Sequence, residues 1–155
     1  MNLTEELQQE RVTHLELSGY ATATEDATVG AVLDKMRTAK RSVCLITAGE
    51  RLVGILTERD IARHILELPG LLDASVSTLM TPDPVTVGPD TPAADALRLM
   101  QERHFRNLPV VDAQGRILGV MTHNAVIDYL AARYPEAVLN RPPDPERFPR
   151  KPEGG

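Results

Sequence analysis

Apolar and polar positions along this chain follow a pattern that is used twice. Residues 51–57 read Arg-Leu-Val-Gly-Ile-Leu-Thr, and residues 116–122 read Arg-Ile-Leu-Gly-Val-Met-Thr. Arg, Gly and Thr return at a shift of 65 (116 − 51), and the positions between them stay apolar. Upstream, Thr22, Asp26, Leu33 and Met36 return as Thr86, Asp90, Leu97 and Met100 at a shift of 64 (86 − 22). The difference implies one inserted residue, which we place near His104-Phe105-Arg106. Self-similarity at a fixed spacing marks a duplicated structural unit.

Each copy predicts the same elements. Val29, Val32, Leu33 and Met36 fall at helical spacing, as do Ala93, Ala96, Leu97 and Met100. Asp90-Thr91-Pro92 offers the second of these helices a cap with proline just inside it. Apolar runs at 43–46 and 108–111 predict strands. Turns follow at Ala48-Gly49-Glu50 and Asp112-Ala113-Gln114-Gly115. Second strands at 52–56 and 117–121 then run into helices carrying Ile61, Ile65 and Leu68, or Val126, Ile127 and Leu130. With 21–24 and 85–87 as short opening strands, the unit is β-α-β-β-α.

One such unit buries little by itself. Two copies packed sheet to sheet share a core. The expected fold is therefore α+β, of the α/β type, with repeats at 14–68 and 77–132. Leu3, Leu7 and Val12 predict an N-terminal amphipathic helix within 1–13. Pro69-Gly70 and Pro82 break the linker. The tail, 135–155, holds six prolines in 21 residues and is expected to be extended.

Composition narrows the function. Apolar residues make up 42% of the chain but aromatics only 3%, so the core must be aliphatic. A net charge of −5, from 17 basic and 22 acidic residues, argues against nucleic acid, which needs concentrated Lys and Arg. The acidic start, Met1-Asn2-Leu3-Thr4-Glu5-Glu6, lacks an apolar signal region, and no apolar run approaches bilayer length. We expect a cytoplasmic protein with no membrane partner. Cys44, the lone cysteine, lies in the apolar run Val43-Cys44-Leu45-Ile46 and reads as a buried, reduced thiol. His14, His64, His104 and His123 show no metal-ligand spacing, and neither a Walker loop nor a nucleophile elbow is present. No catalytic residue, metal or catalytic cofactor is expected.

The most informative segment is Gly54-Ile55-Leu56-Thr57-Glu58-Arg59-Asp60. It sets Thr57 and Asp60 where a buried strand becomes a helix. Free amides at a helix start favour a phosphate, and a carboxylate three residues on suits ribose hydroxyls. The same spacing is also a plain capping box that needs no ligand. Both readings stand at this level.

Taken together, Thr28-Val29, Leu-Met-Thr-Pro-Asp-Pro-Val-Thr-Val at 79–87, Arg-Asn-Leu-Pro-Val-Val-Asp at 106–112 and the segment 54–60 resemble tandem CBS domains, also called a Bateman module. The resemblance covers 14–131. It implies a pseudo-twofold pair of repeats, two clefts between them that bind AMP, ADP, ATP or S-adenosylmethionine as regulatory ligands, and a homodimer. By position, Tyr20, Ala21 and Thr22 would flank the adenine in the first cleft. Arg41 and Ser42 would lie near the phosphates, with Thr57, Arg59 and Asp60 on phosphate and ribose. The matching second-cleft positions are Pro84, Val85 and Thr86, then Arg106 and Asn107, then Thr122, His123 and Asn124. Ala125 stands where the first copy has Asp60, so the second cleft is expected to be weak or empty. The expected function is an energy-sensing regulatory module that signals to a separate effector protein. The alternative is a ligand-free dimeric interaction module.

Overall fold

The computed structural model describes residues 3–133, so the expectation for the proline-rich tail lies outside the described residues. In the first repeat, β1 (Ala21–Thr24) runs parallel to β2 (Val43–Ala48), and β2 pairs antiparallel with β3 (Arg51–Thr57). The crossover is α1 (Val29–Ala39), whose Val29, Val32 and Met36 are fully buried. The third strand continues into α2 (Glu58–His64). In the second repeat, α3 (Ala93–Arg103) precedes the hairpin of β5 (Asn107–Val111) and β6 (Ile117–Thr122), which leads into α4 (His123–Arg133). A short helix, α0 (Leu3–Gln9), precedes the first repeat.

The strand expected at 85–87 shrinks to one parallel bridge between Val87 and Val110. Just upstream, Asp83 takes a positive φ of 46° and Pro84 has no amide hydrogen, so the chain joins the ladder late. The cap expected of Asp90-Thr91-Pro92 also shifts. Pro92 is itself the cap residue, one place before the helix, and offers no side-chain acceptor. Its counterpart Thr28 accepts from the Ala31 amide at 3.1 Å.

The inserted residue lies elsewhere than near His104. Arg41 N–H donates to Met36 C=O at 2.8 Å, and Phe105 N–H donates to Met100 C=O at 2.9 Å. Ser42 and Arg106 carbonyls likewise accept from Glu58 and His123 amides, at 3.0 and 3.1 Å. The shift of 64 therefore holds as far as β5, and the extra residue sits in the turn at 112–115. There the Asp112 carboxylate gathers the amides of Gln114 and Arg116 and the Arg116 Nε, each at 2.9 Å. An aspartate that hydrogen-bonds the backbone two residues on accommodates a longer turn. The sequence favours the wrong place, because the apolar run 43–46 matches 108–111 at a shift of 65 more fully than 107–110 at a shift of 64. In this frame Phe105 corresponds to Arg41, and Arg106 to Ser42.

What fills the two helix-side cores is an exchange of segments. The first core joins Val29, Val32, Met36, Cys44, Ile46 and Leu56 to Leu71 and Val76 of the linker. The second joins Ala93, Ala96, Met100, Leu108 and Met121 to Leu7, Val12 and Leu15 of the N-terminal segment. The backbone obeys the same rule. Val29 N–H donates to Ala74 C=O at 2.9 Å, and Ala93 N–H donates to Glu10 C=O at 2.7 Å, so each segment supplies the acceptor for the first amide of a crossover helix. The linker also adds β4 (Thr81–Pro82) to the edge of β3, giving the sheet order β1-β2-β3-β4. Each repeat is thus completed by the segment that precedes the other one.

A third core joins the two sheets. Val43, Leu45 and Leu52 of the first repeat meet Val120 of the second, with Tyr20, Ile55, Val111 and Ile117 packed around them. Leu52 N–H donates to Gly115 C=O at 3.0 Å, and Arg51 bridges to Arg116, so the hairpin ends also meet. The strand β2 accordingly loses both faces to the interior: Cys44 and Ile46 point to the helices, and Val43 and Leu45 to the other repeat. Burial on both faces explains its continuous apolar run, in place of the alternation of a half-exposed strand.

Candidate functional site

Strand register assembles the site. Ala21 pairs with Cys44 and Cys44 with Leu56, so the next rung brings Tyr20, Val43 and Thr57 to one end of the sheet. Arg41 and Ser42 enter β2 there, and Thr57 to Asp60 leave β3 there. Of the first-cleft residues, Tyr20, Thr57 and Asp60 are half-buried, Ala21 is buried, and Thr22, Arg41, Ser42 and Arg59 are exposed. Tyr20 packs on the core between the sheets. Among the described residues, Arg41, Arg59 and Arg106 take part in no side-chain ion pair. Two unpaired guanidiniums at one sheet end suit an anion.

Thr57 and Asp60 form a complete capping box. The Thr57 Oγ1 accepts from the Asp60 amide at 3.2 Å, while Asp60 Oδ2 accepts from the Thr57 amide at 3.0 Å and its hydroxyl at 2.9 Å. The capping reading of this spacing is therefore realised. Both bonds to the carboxylate fall on Oδ2, which leaves Oδ1 to face a further donor.

The second copy builds the same corner with fewer groups. Asn107 stands opposite Thr122 in the ladder, as Val43 stands opposite Thr57. Thr122 Oγ1 accepts from the Ala125 amide at 3.0 Å, and with alanine there no bond returns. His123, Asn124 and Arg106 are exposed. Val85 is also exposed. Pro84 and Thr86 stand apart from these: they line a cavity of about 160 Å³ with Arg51, Asp83 and Gly115 at the hairpin junction.

A larger cavity, of about 370 Å³, opens beside Tyr20 and is walled by Leu15, Glu16, Leu17, Ser18 and, from the second repeat, Leu118. None of these five was anticipated. Their meeting depends on packing between residues about a hundred positions apart, for which no local pattern exists. The Ser18 hydroxyl and then its amide, the latter at 3.1 Å, donate to one oxygen of Glu16 and hold that carboxyl below its usual range, with Arg41 adding attraction. A Cβ built on Gly19 would lie 3.8 Å from Arg41 Nη1 and 3.9 Å from Thr122 Cγ2. The entry to the first repeat thus touches site residues of both copies. Among the described residues, no group of three or more His, Cys, Asp or Glu side chains is placed to hold a metal ion. None of their helices is long and apolar enough to cross a membrane.

Comparison with known proteins agrees with this architecture. The CBS domain family matches residues 12–67 and 76–132. An inosine-5'-monophosphate dehydrogenase of Korarchaeum cryptofilum is 38% identical over 77 residues, covering 50% of this chain and 15% of that protein. The chain spans between 15% and 48% of the length of the curated relatives of this rank. A crystal structure of a CBS domain protein matches with a TM-score of 0.69 at 27% identity, covering 78% of this chain and 97% of that one. The cytosolic domain of the Mg2+ channel MgtE, solved in complex with ATP, matches with a TM-score of 0.66 at 30% identity, covering 81% of this chain and 51% of that one. Both halves of the duplicated unit are accounted for by a single family, and the chain belongs to the CBS domain family as a tandem pair.

Proposed function

We propose that this CBS pair is a non-catalytic regulatory module that binds an adenosine-containing ligand in the cleft at Tyr20, Arg41, Thr57 and Asp60. The observation that carries the reading is the shared sheet end. The rung of Tyr20, Val43 and Thr57 brings an aromatic ring to the end where Arg41, in no ion pair, enters β2 and where Asp60, with one oxygen outside the capping box, follows β3. Those groups match adenine, phosphate and ribose in turn. The ATP held by the MgtE domain, at 30% identity, supports the ligand class. The second cleft has Ala125 in place of the aspartate and Phe105 in place of Arg41, so it binds weakly or stays empty. A charged hydrogen bond lost there costs about 1.5–3 kcal/mol.

The module acts as a cytoplasmic homodimer that passes an energy-related signal to an effector protein. Exposed Ile65, Leu66, Leu68 and Leu72 beyond α2, with Leu66 95% exposed, supply an apolar patch for such an assembly.

The test is thermal unfolding of wild type and Asp60→Asn, each with and without AMP, ADP, ATP and S-adenosylmethionine. The variant's own midpoint falls, because the substitution weakens a cap worth about 0.5–2 kcal/mol. The quantity to compare is the increment on adding ligand. At a hundred times its dissociation constant a ligand stabilises by about 2.7 kcal/mol. An increment in wild type that shrinks in Asp60→Asn supports the reading. No increment with any ligand overturns it in favour of a ligand-free interaction module.

A further inference from the structure

We propose that Glu16 sets the charge of the adenosine ligand accepted by the first cleft, as a fixed carboxylate competing with the ligand for Arg41. The inference rests on the reading of that cleft given above.

Glu16 lines the cavity beside Tyr20, and it is held there twice over. One of its oxygens takes both the Ser18 hydroxyl and the Ser18 amide. Its backbone is held by the second repeat: Leu15 is buried in that repeat's core, and Leu17 C=O accepts from Val120 N–H at 2.9 Å. The two bonds from Ser18 hold the carboxylate at the cavity wall, on a backbone that β6 keeps in place. Arg41 reaches the same segment, with its Nη1 3.8 Å from where a Gly19 Cβ would stand. The guanidinium and the carboxylate feel each other's charge yet form no direct ion pair, so Arg41 stays open to a ligand.

A ligand group arriving at Arg41 meets both charges. A single phosphate gains the guanidinium and faces one carboxylate. Each further phosphate adds repulsion from a carboxylate that Ser18 holds in place. A sulfonium-bearing ligand meets attraction in its place. The cleft is thereby biased toward AMP or S-adenosylmethionine over ATP.

The experiment is titration calorimetry of adenosine, AMP, ATP and S-adenosylmethionine into wild type, Glu16→Gln and Ser18→Ala, at low and high salt. Glutamine keeps the acceptor for Ser18 and removes only the charge. The ratio of ATP to AMP dissociation constants should fall by about threefold or more in Glu16→Gln at low salt, with adenosine unchanged and the difference shrinking at high salt. Ser18→Ala, which releases the carboxylate, should move the ratio the same way by less. Ligands that bind with an unaltered ratio, or all shift by one common factor, overturn the role of Glu16 and leave the cleft standing. Failure of all four to bind any of the proteins overturns the adenosine reading, and Glu16's role with it.

Discussion

Cys44 shows what burial does to one side chain. Its residue is fully buried between the sheet and α1, and removal from water pushes the thiol up to about 11 from an ordinary 9.0, with only slight relief from Lys35. The thiolate is the reactive form. At pH 8 the folded protein should react with iodoacetamide roughly a hundredfold more slowly than the urea-unfolded chain; comparable rates would mean that the core opens locally. The sign of the pH effect follows. Above the ordinary value the unfolded thiol loses its proton and the folded one keeps it, so this residue's contribution to stability declines as pH rises from 9.0 toward about 11. The buried thiol was legible in the run Val43-Cys44-Leu45-Ile46, because a continuous apolar stretch has only the interior to occupy. The capping pair Thr57 and Asp60 was legible for the opposite reason, since its partners are three residues apart. Glu16 was not, because its importance comes from neighbours set by the other repeat.

Among the elements, the strands β3 and β6 carry a glycine at equivalent places, and each is roofed by the exchanged segment. A Cβ on Gly54 would overlap the Met80 sulfur and lie 2.9 Å from its Cγ. A Cβ on Gly119 would overlap the Leu17 Cβ and lie 2.9 Å from the Leu17 carbonyl oxygen. Methionine can rotate away, but a backbone carbonyl already bonded to Val120 N–H cannot. Gly119→Ala should therefore cost about 3 kcal/mol, and Gly54→Ala about 1 kcal/mol, on an overpacking scale of roughly 1–3 kcal/mol. Urea denaturation of the two variants checks the order, and equal losses would show that Leu17 yields as readily as Met80. The helices and hairpins were legible from periodicity. The roofing was not, since a glycine in a strand says that something approaches closely without saying what.

For the molecule as a whole, the exchanged segments link the two repeats, because each helix-side core is filled by the stretch that precedes the other repeat. Removing residues 1–11 deletes buried Leu7, the Glu10 carbonyl that caps α3, and the Arg11–Asp90 ion pair. The first core uses none of them. The truncated protein should lose about 3 kcal/mol, mostly from Leu7 and the cap. In hydrogen exchange the loss should appear as faster exchange in α3 while β1 to β3 hold their protection at low denaturant. Uniform loss across both repeats would mean that the core between the sheets couples them completely. The duplication itself was plain in the sequence, as was the shared core. Which segment completes which repeat was not, because two copies of one pattern make either assignment equally consistent with the residues.

That arrangement also bears on how the chain is made. During synthesis Leu7, Val12 and Leu15 emerge well before the residues they pack against, which run from Ala93 to Val126. The first repeat meets its own completing segment, at Leu71 and Val76, soon after its last strand is made. Until the second hairpin leaves the ribosome, Leu7, Val12 and Leu15 remain exposed in the company of a nearly finished neighbour. A segment made before the first repeat is thus seated only once the second repeat is made, and it is the segment that carries Glu16 to the cleft.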